Sequence, residues 1–196
     1  MSLSKGERTR QKLVSATGAL LRRRGYHGVG LGQILSESGA PRGSLYFHFP
    51  GGKQELAAAA IECEGALWRE RVAAVVASAP DLAAAVIAVG DLLAADLEQS
   101  DFTDGCPAAT VALEIASESE VLRARCAALY DGWEQLITDV MADAGLPTTH
   151  AGTLARFALC AFEGAMLMAK VRRSGAPIRE VARAIALQVS ALYSER

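Results

Sequence analysis

From Lys5 to Arg24 the apolar residues recur at intervals of three and four. Leu13, Ala16, Thr17, Leu20 and Leu21 fall on one face and most of the charges fall elsewhere, the 3.6-residue period of an amphipathic helix. Gly25 ends that pattern. A second, short helix is predicted over Leu31 to Ser38, where Leu31, Ile34 and Leu35 have core-building spacing, with Gly39 as its left-handed cap and Ala40 completing the turn. A third is predicted from Pro41 to about Phe47, because the fixed φ and missing N–H of proline suit a first helical position. From Lys53 onward the chain turns to long Ala/Leu-rich stretches broken at Pro80, Asp104–Pro107, Gly145–Pro147 and Gly175–Pro177. These breaks predict six helices, over about 53–78, 81–99, 107–116, 119–143, 148–174 and 178–193. The expected fold class is all-α with about nine helices: a three-helix head over 1–52 and a helical body over 53–196.

Composition agrees with that pattern. About half of the 196 residues are hydrophobic and few are aromatic, enough apolar material to bury a core built mainly from helices. The net charge of −2 hides an asymmetry: up to Glu55 there are nine cations and three anions, and beyond it eleven cations against nineteen anions. A head of +6 and a remainder of −8 point to a polyanionic partner for the head, since Lys and Arg that neutralise phosphates release condensed counterions. The apolar run Leu13–Leu21 ends in Arg22-Arg23-Arg24 where a secretory signal needs small residues, so it reads as a helix with charged ends. No charge-free stretch reaches 18 apolar residues, and a cytoplasmic location is expected. Cys63, Cys106, Cys126 and Cys160 are widely spaced without a CxxC pair, which predicts reduced core thiols and no zinc site. No metal or cofactor is expected.

Two short helices joined by a glycine turn and preceded by a basic helix form the layout that presents a recognition helix to the major groove. The residues Gly25-Tyr26-His27-Gly28, then Ile34 through Phe49 (ILSESGAPRGSLYFHF), then Gly52-Lys53-Gln54-Glu55-Leu56 closely resemble the DNA-binding signature of the TetR/AcrR family of repressors. Arg42 has the chemistry to read a guanine edge or hold a phosphate, Gly43 lets the backbone approach DNA, and Ser44 is a short donor or acceptor. Lys53 adds a cation at a helix N-terminus, and Gln33 is expected to be exposed on the second helix. Leu45 and Phe49 are expected to pack against Ile34 and Leu35. The resemblance implies phosphate contacts for Tyr46 and His48. The chain departs from the usual family pattern at Gly30 and Gly32, so the second helix is expected to lack a good cap, and Pro41 replaces a frequent Ser or Thr.

The helix over about 150–174 is apolar on more than one side, with Leu154, Phe157, Ala158 and Ala161 on one face and Leu159, Phe162 and Met166 on another. With Val181, Ala184, Ile185, Gln188, Val189 and Leu192 of the last helix, it resembles the surface through which family members form a four-helix homodimer interface. Small Ala161, Gly164 and Ala165 would permit close approach. A dimer also suits two recognition helices entering successive major grooves about 34 Å apart on a near-palindromic operator.

The segment Phe102 to Thr110 (FTDGCPAAT), followed by Leu113-Glu114, resembles the branch typified by the LmrA and YxaF repressors, which control multidrug efflux functions. This implies an apolar pocket for a small-molecule inducer. The expected ligand-binding residues are Trp68, Phe102, Cys106, Thr110, Leu113, Glu114, Trp133, Phe162, Glu163 and Met166, with Met168 as a further wall and Glu114 or Glu163 as a polar anchor. The function implied is a ligand-responsive repressor. An architectural DNA-binding protein without an inducer is the alternative, but it leaves the long body unexplained. An all-α enzyme is the rival from another class, but the chain has no HExxH, no Gly-rich phosphate loop and no GxSxG, and His27, His48 and His150 are scattered, so no catalytic residue is assigned.

Overall fold

The computed structural model describes residues 4–194, without the side chains of 148, 149, 193 and 194. Among the described residues there are nine helices and no strand: α1 (Lys5–Arg24), α2 (Leu31–Ser38), α3 (Arg42–His48), α4 (Gly52–Ser78), α5 (Leu82–Gln99), α6 (Pro107–Ile115), α7 (Glu120–Asp143), α8 (Thr148–Arg172) and α9 (Ala176–Ser194). None of them is long and apolar enough to cross a membrane. The fold is all-α, as the periodicity predicted.

Local chemistry explains most boundaries. Ser4 and Glu7 form a reciprocal capping box at the start of α1, and Gly25 takes the positive φ that ends it. The Asp81 carboxylate accepts from the Ala84 N–H at 2.8 Å and starts α5. Gly39 caps α2 in the left-handed region, at φ 61 and ψ 18. The N-cap Gly30 gives α2 no side-chain hydrogen bond, as expected. Pro41 corrects an expectation: with ψ at 142 it is extended and precedes the helix as its N-cap, so α3 begins one residue later, at Arg42.

The chain forms two compact units, one of residues 1–67 with 106–129 and the other of 68–105 with 130–196. This division by packing differs from the expected division by role at 52/53, because α6 and the first half of α7 belong to the first unit. Its core gathers Leu13, Leu20 and Leu21 of α1, Ile34 of α2, Leu45 of α3, Phe49, and Leu56 and Ile61 of α4, all essentially inaccessible to solvent. The second unit packs α9 on α5 and α8. Its two apolar clusters are Leu82, Met141, Leu146, Leu154, Ala155, Ala158, Ile185 and Val189, and Ala94, Leu97, Ala165, Ala169 and Ile178. Phe162 packs against both.

Two expectations about the body need correction. Ile185 and Val189 are core residues of the second unit, with Val181 and Leu192 packed against them, so they do not form an outward face of α9. The outward apolar residues are Phe157, Leu167, Met168 and Val171 on α8 and Leu187 on α9, flanked by exposed Cys160, Gly164, Ala184 and Gln188. Of the cysteines, all free, Cys106 and Cys126 are buried while Cys63 and Cys160 are exposed, so only half of them are core thiols.

Arg179 ties α9 to α5. Its guanidinium meets Glu98 at 2.7 and 3.0 Å and Asp91 at 3.2 Å, and the hydrogen bond from Arg179 holds the Glu98 carboxyl below its ordinary range. A carboxylate whose pKa is depressed on folding stabilises the fold above its unfolded pKa, and that stability is lost as pH falls through the folded value. Because the network is solvent-exposed, Arg179→Leu is expected to cost under about 1 kcal/mol at pH 7. Urea denaturation should show the difference from the parent protein shrinking as pH falls below the ordinary carboxylate range.

Candidate functional site

The seven residues of α3 divide between two faces. Leu45 points inward with the following Phe49, whose N–H donates to the Leu45 carbonyl at 2.8 Å. Arg42, Gly43, Tyr46 and Phe47 are exposed, and Ser44 and His48 are half-buried. Leu45 and Phe49 thus fasten α3 to the core of the first unit, and the opposite side presents a cation, a bare backbone and two aromatic rings. Phe47 is 80% exposed and was absent from the residues singled out by sequence. Its position, two before the buried Phe49 and one after Tyr46, placed it on the outer face all the same.

Ring contacts set the rim of this face. His48 meets Phe47 edge-on, with centroids 5.0 Å apart, and stands over Gly6 of α1, where a Cβ would lie 3.8 Å from the imidazole Cε1. The Arg10 guanidinium lies over the Phe49 ring, 5.3 Å from its centroid. Lys53, at the start of α4, has its ammonium 4.1 Å from the centre of the Tyr26 ring. Partial burial lowers the Lys53 pKa, and the Glu114 charge opposes that effect. Gln33 is half-buried on α2, where full exposure was expected. The structure therefore brings Arg42, Gly43, Ser44, Tyr46 and His48 onto one short helix, with Lys53 and Gln33 on neighbouring elements.

Four of the residues singled out for ligand binding lie in the first unit. Cys106 caps α6 by accepting from the Ala109 N–H at 3.4 Å. The Thr110 hydroxyl shares its proton between the Leu21 carbonyl of α1, 3.1 Å away, and carbonyls of its own helix. Glu114 accepts from the His27 backbone N–H at 2.8 Å and occupies the space where a side chain on Gly25 would sit. Glu118 lies 3.5 Å from His27 Nε2. Helix α6 is thus latched to the corner between α1 and α2. Leu113, beside these contacts, is 86% exposed.

The other six lie in the second unit. Trp68 is stacked under Arg71 at 5.2 Å, and Arg71 is held by a two-point bond to Asp96, at 2.6 and 2.7 Å. Phe102 adopts a positive φ, as does Asp101 before it. This strained backbone is pinned by Arg173, the cap residue after α8, on Asp101 and over the Phe102 ring, and by Lys170 of α8 on the Thr103 carbonyl at 2.8 Å. Phe102, Phe162 and Met166 pack together against the second apolar cluster. Glu163 is half-buried and Trp133 is buried. A separate open groove of about 410 Å³, lined by Asp81, Leu82, Ala83, Ala144, Val189 and Ser190, involves none of the ten. No group of His, Cys, Asp and Glu among the described residues is arranged to hold a metal ion.

Residues 13–60 match the model of bacterial regulatory proteins of the tetR family, and residues 83–184 match the C-terminal domain of LmrA/YxaF-like transcriptional regulators. The chain belongs to the TetR family of bacterial transcriptional regulators. An HTH-type regulator of Mycobacterium tuberculosis strain H37Rv is 35% identical over 95% of this chain and 97% of its own length. The HTH-type regulator LmrA of Bacillus subtilis strain 168 is 30% identical over 90% and 94%. A TetR regulator from Chloroflexus aurantiacus superposes with a TM-score of 0.80 at 26% identity, covering 96% of this chain and 97% of that one.

Proposed function

We propose that this regulator is a cytoplasmic repressor that binds a palindromic operator as a homodimer and lets go when a small hydrophobic or aromatic molecule enters its body. The outward face of α3 carries the reading: Arg42, Gly43, Tyr46 and Phe47 are exposed while Leu45 is buried. Arg42 and Ser44 are the candidate base readers. Tyr46, His48 and Lys53 are the candidate phosphate contacts, and Gln33 is a flanking one. The apolar stripe of α8 and α9 supports a second copy of this chain as the partner, since a run of exposed Leu, Met, Val and Phe marks an interaction surface.

In the body, Phe102, Phe162 and Met166 with Trp68, Trp133 and Glu163 are the candidate ligand contacts. The latch made by Thr110 and Glu114 suits these two residues to coupling α6 with the head, and Cys106 and Leu113 flank it. Because α4 and α7 run unbroken from one unit to the other, a ligand that changes the second unit has a helical route to the first. The change is a shift between two populations, of which DNA favours one and ligand the other.

The test is fluorescence anisotropy with duplexes drawn from the flanking promoter and with scrambled duplexes of equal length. Arg42→Ala is expected to weaken binding to the specific duplex by about 1 to 3 kcal/mol and to leave scrambled DNA nearly unchanged. Equal loss on both duplexes would assign Arg42 to a phosphate, and no binding of the parent protein to any promoter duplex at low salt would overturn the reading.

A further inference from the structure

The chain has two tryptophans, and they differ in one respect. Trp133 is only 8% exposed, and its indole Nε1 is buried without a hydrogen-bond partner among the described residues. An indole N–H is a donor only. Buried donors are almost always paired, because leaving one unpaired costs the full desolvation of the group. The ring is held by its surroundings: Tyr130, one turn earlier, meets it edge-on at 5.8 Å. Ile137, Val140 and Met141 continue the same stripe of α7 and pack into the first apolar cluster of the second unit. Trp133 therefore stands at the end of an apolar stripe with its one polar atom shielded from solvent and without a partner among the described residues.

We propose that the Trp133 N–H is the specificity-determining donor of the inducer site, and that it selects an uncharged, mainly apolar molecule carrying a hydrogen-bond acceptor on its rim. This rests on the ligand-binding reading given above and names its chemistry. A single neutral donor shielded from solvent matches a carbonyl or ether oxygen or a pyridine-type nitrogen. It does not compensate a full charge. The apolar body of the ligand is held by burial, and the donor discriminates between bodies of equal shape, because an analogue lacking the acceptor leaves the N–H unpaired.

Fluorenone and fluorene form a suitable pair of probes, being flat hydrocarbons of nearly one shape that differ in a carbonyl. The intact protein is expected to bind fluorenone about tenfold more tightly than fluorene, and Trp133→Phe is expected to bind the two alike. In a ¹H–¹⁵N spectrum the two indole signals are assigned with Trp68→Phe, which removes the other one. The Trp133 signal should shift downfield with fluorenone and not with fluorene, a readout in the parent protein that survives even if the variant fails to fold. Equal binding of the two probes by the parent protein, including no binding of either, overturns the proposal. So does discrimination that persists in Trp133→Phe, or an indole proton already hydrogen-bonded to internal water without ligand. Operator binding by the ligand-free protein is measured separately by anisotropy. A protein that separates the two probes but ignores its promoter would overturn the repressor reading and leave this one standing.

Discussion

With Asp at both Val171 and Leu187, the protein is expected to remain folded as a monomer and to lose its operator affinity. In one chain these side chains are 77% and 72% exposed, so the substitutions remove nothing from the core and the helical circular dichroism should be unchanged. In a dimer formed through α8 and α9 they would place two carboxylates from each protomer into an apolar seam. Burying an unpaired charge costs several kcal/mol, so the dimer dissociation constant is expected to rise at least ~100-fold, equivalent to ~3 kcal/mol. A monomer holds one α3, and half of a palindromic site offers it about half of the contacts. Sedimentation equilibrium and anisotropy on the same samples read both effects. A doubly substituted protein that stays dimeric would show that the seam lies elsewhere.

The second large effect concerns stability. Gly90 lies in α5 where a Cβ would overlap the Cβ of Ala182 on α9, with Phe162 Cε1 3.6 Å and the Ile178 carbonyl 3.7 Å away. Both partners are helical, and neither has a flexible end that can move aside. Gly90→Val is therefore expected to destabilise the protein by about 3 kcal/mol, at the upper end for overpacked cores, and to lower the thermal midpoint by roughly 6 to 12 °C. Exchanging the sizes, Gly90→Ala with Ala182→Gly, should recover most of the loss, because the space is set by the closeness of the two backbones. If Gly90→Val melts with the parent protein, α5 and α9 do not pack this tightly.

These two predictions draw on different amounts of sequence information. The stripe on α8 was visible as a helix too apolar to be covered by one face, but its direction was not. On α9, residues 184, 185, 188 and 189 are all candidates for an apolar side. Only the packing against α5 and α8 turned Ile185 and Val189 inward and left Leu187 outside. Gly90 gave no signal in a single sequence, since its role depends on a residue 92 positions later along the chain.

The ligand-binding candidates show the same limit. Thr110 and Glu114 lie in the segment that resembles the LmrA/YxaF branch, which was the ground for placing them in a pocket. In the structure their polar atoms bond to Leu21 and to His27, the latter 87 residues away in sequence. Trp133 was legible as a large apolar residue on a helix. That its N–H has no partner among the described residues depends on packing across elements, which periodicity does not contain.

The features legible along the chain are those settled within a few residues. These are the boundaries of α1 and α2, the left-handed turn at Gly39, the inward Leu45 and Phe49 of α3, and the family to which that spacing belongs. Helix periods, caps and glycine turns depend on neighbours within one or two turns, so they can be read along the chain. Packing between distant segments settled which stripe of α8 and α9 faces out, where Glu114 and Thr110 bind, and that the Trp133 N–H has no partner among the described residues. Such outcomes depend on which surfaces cover one another, and a helix stripe says that a residue is on a side without saying what that side meets.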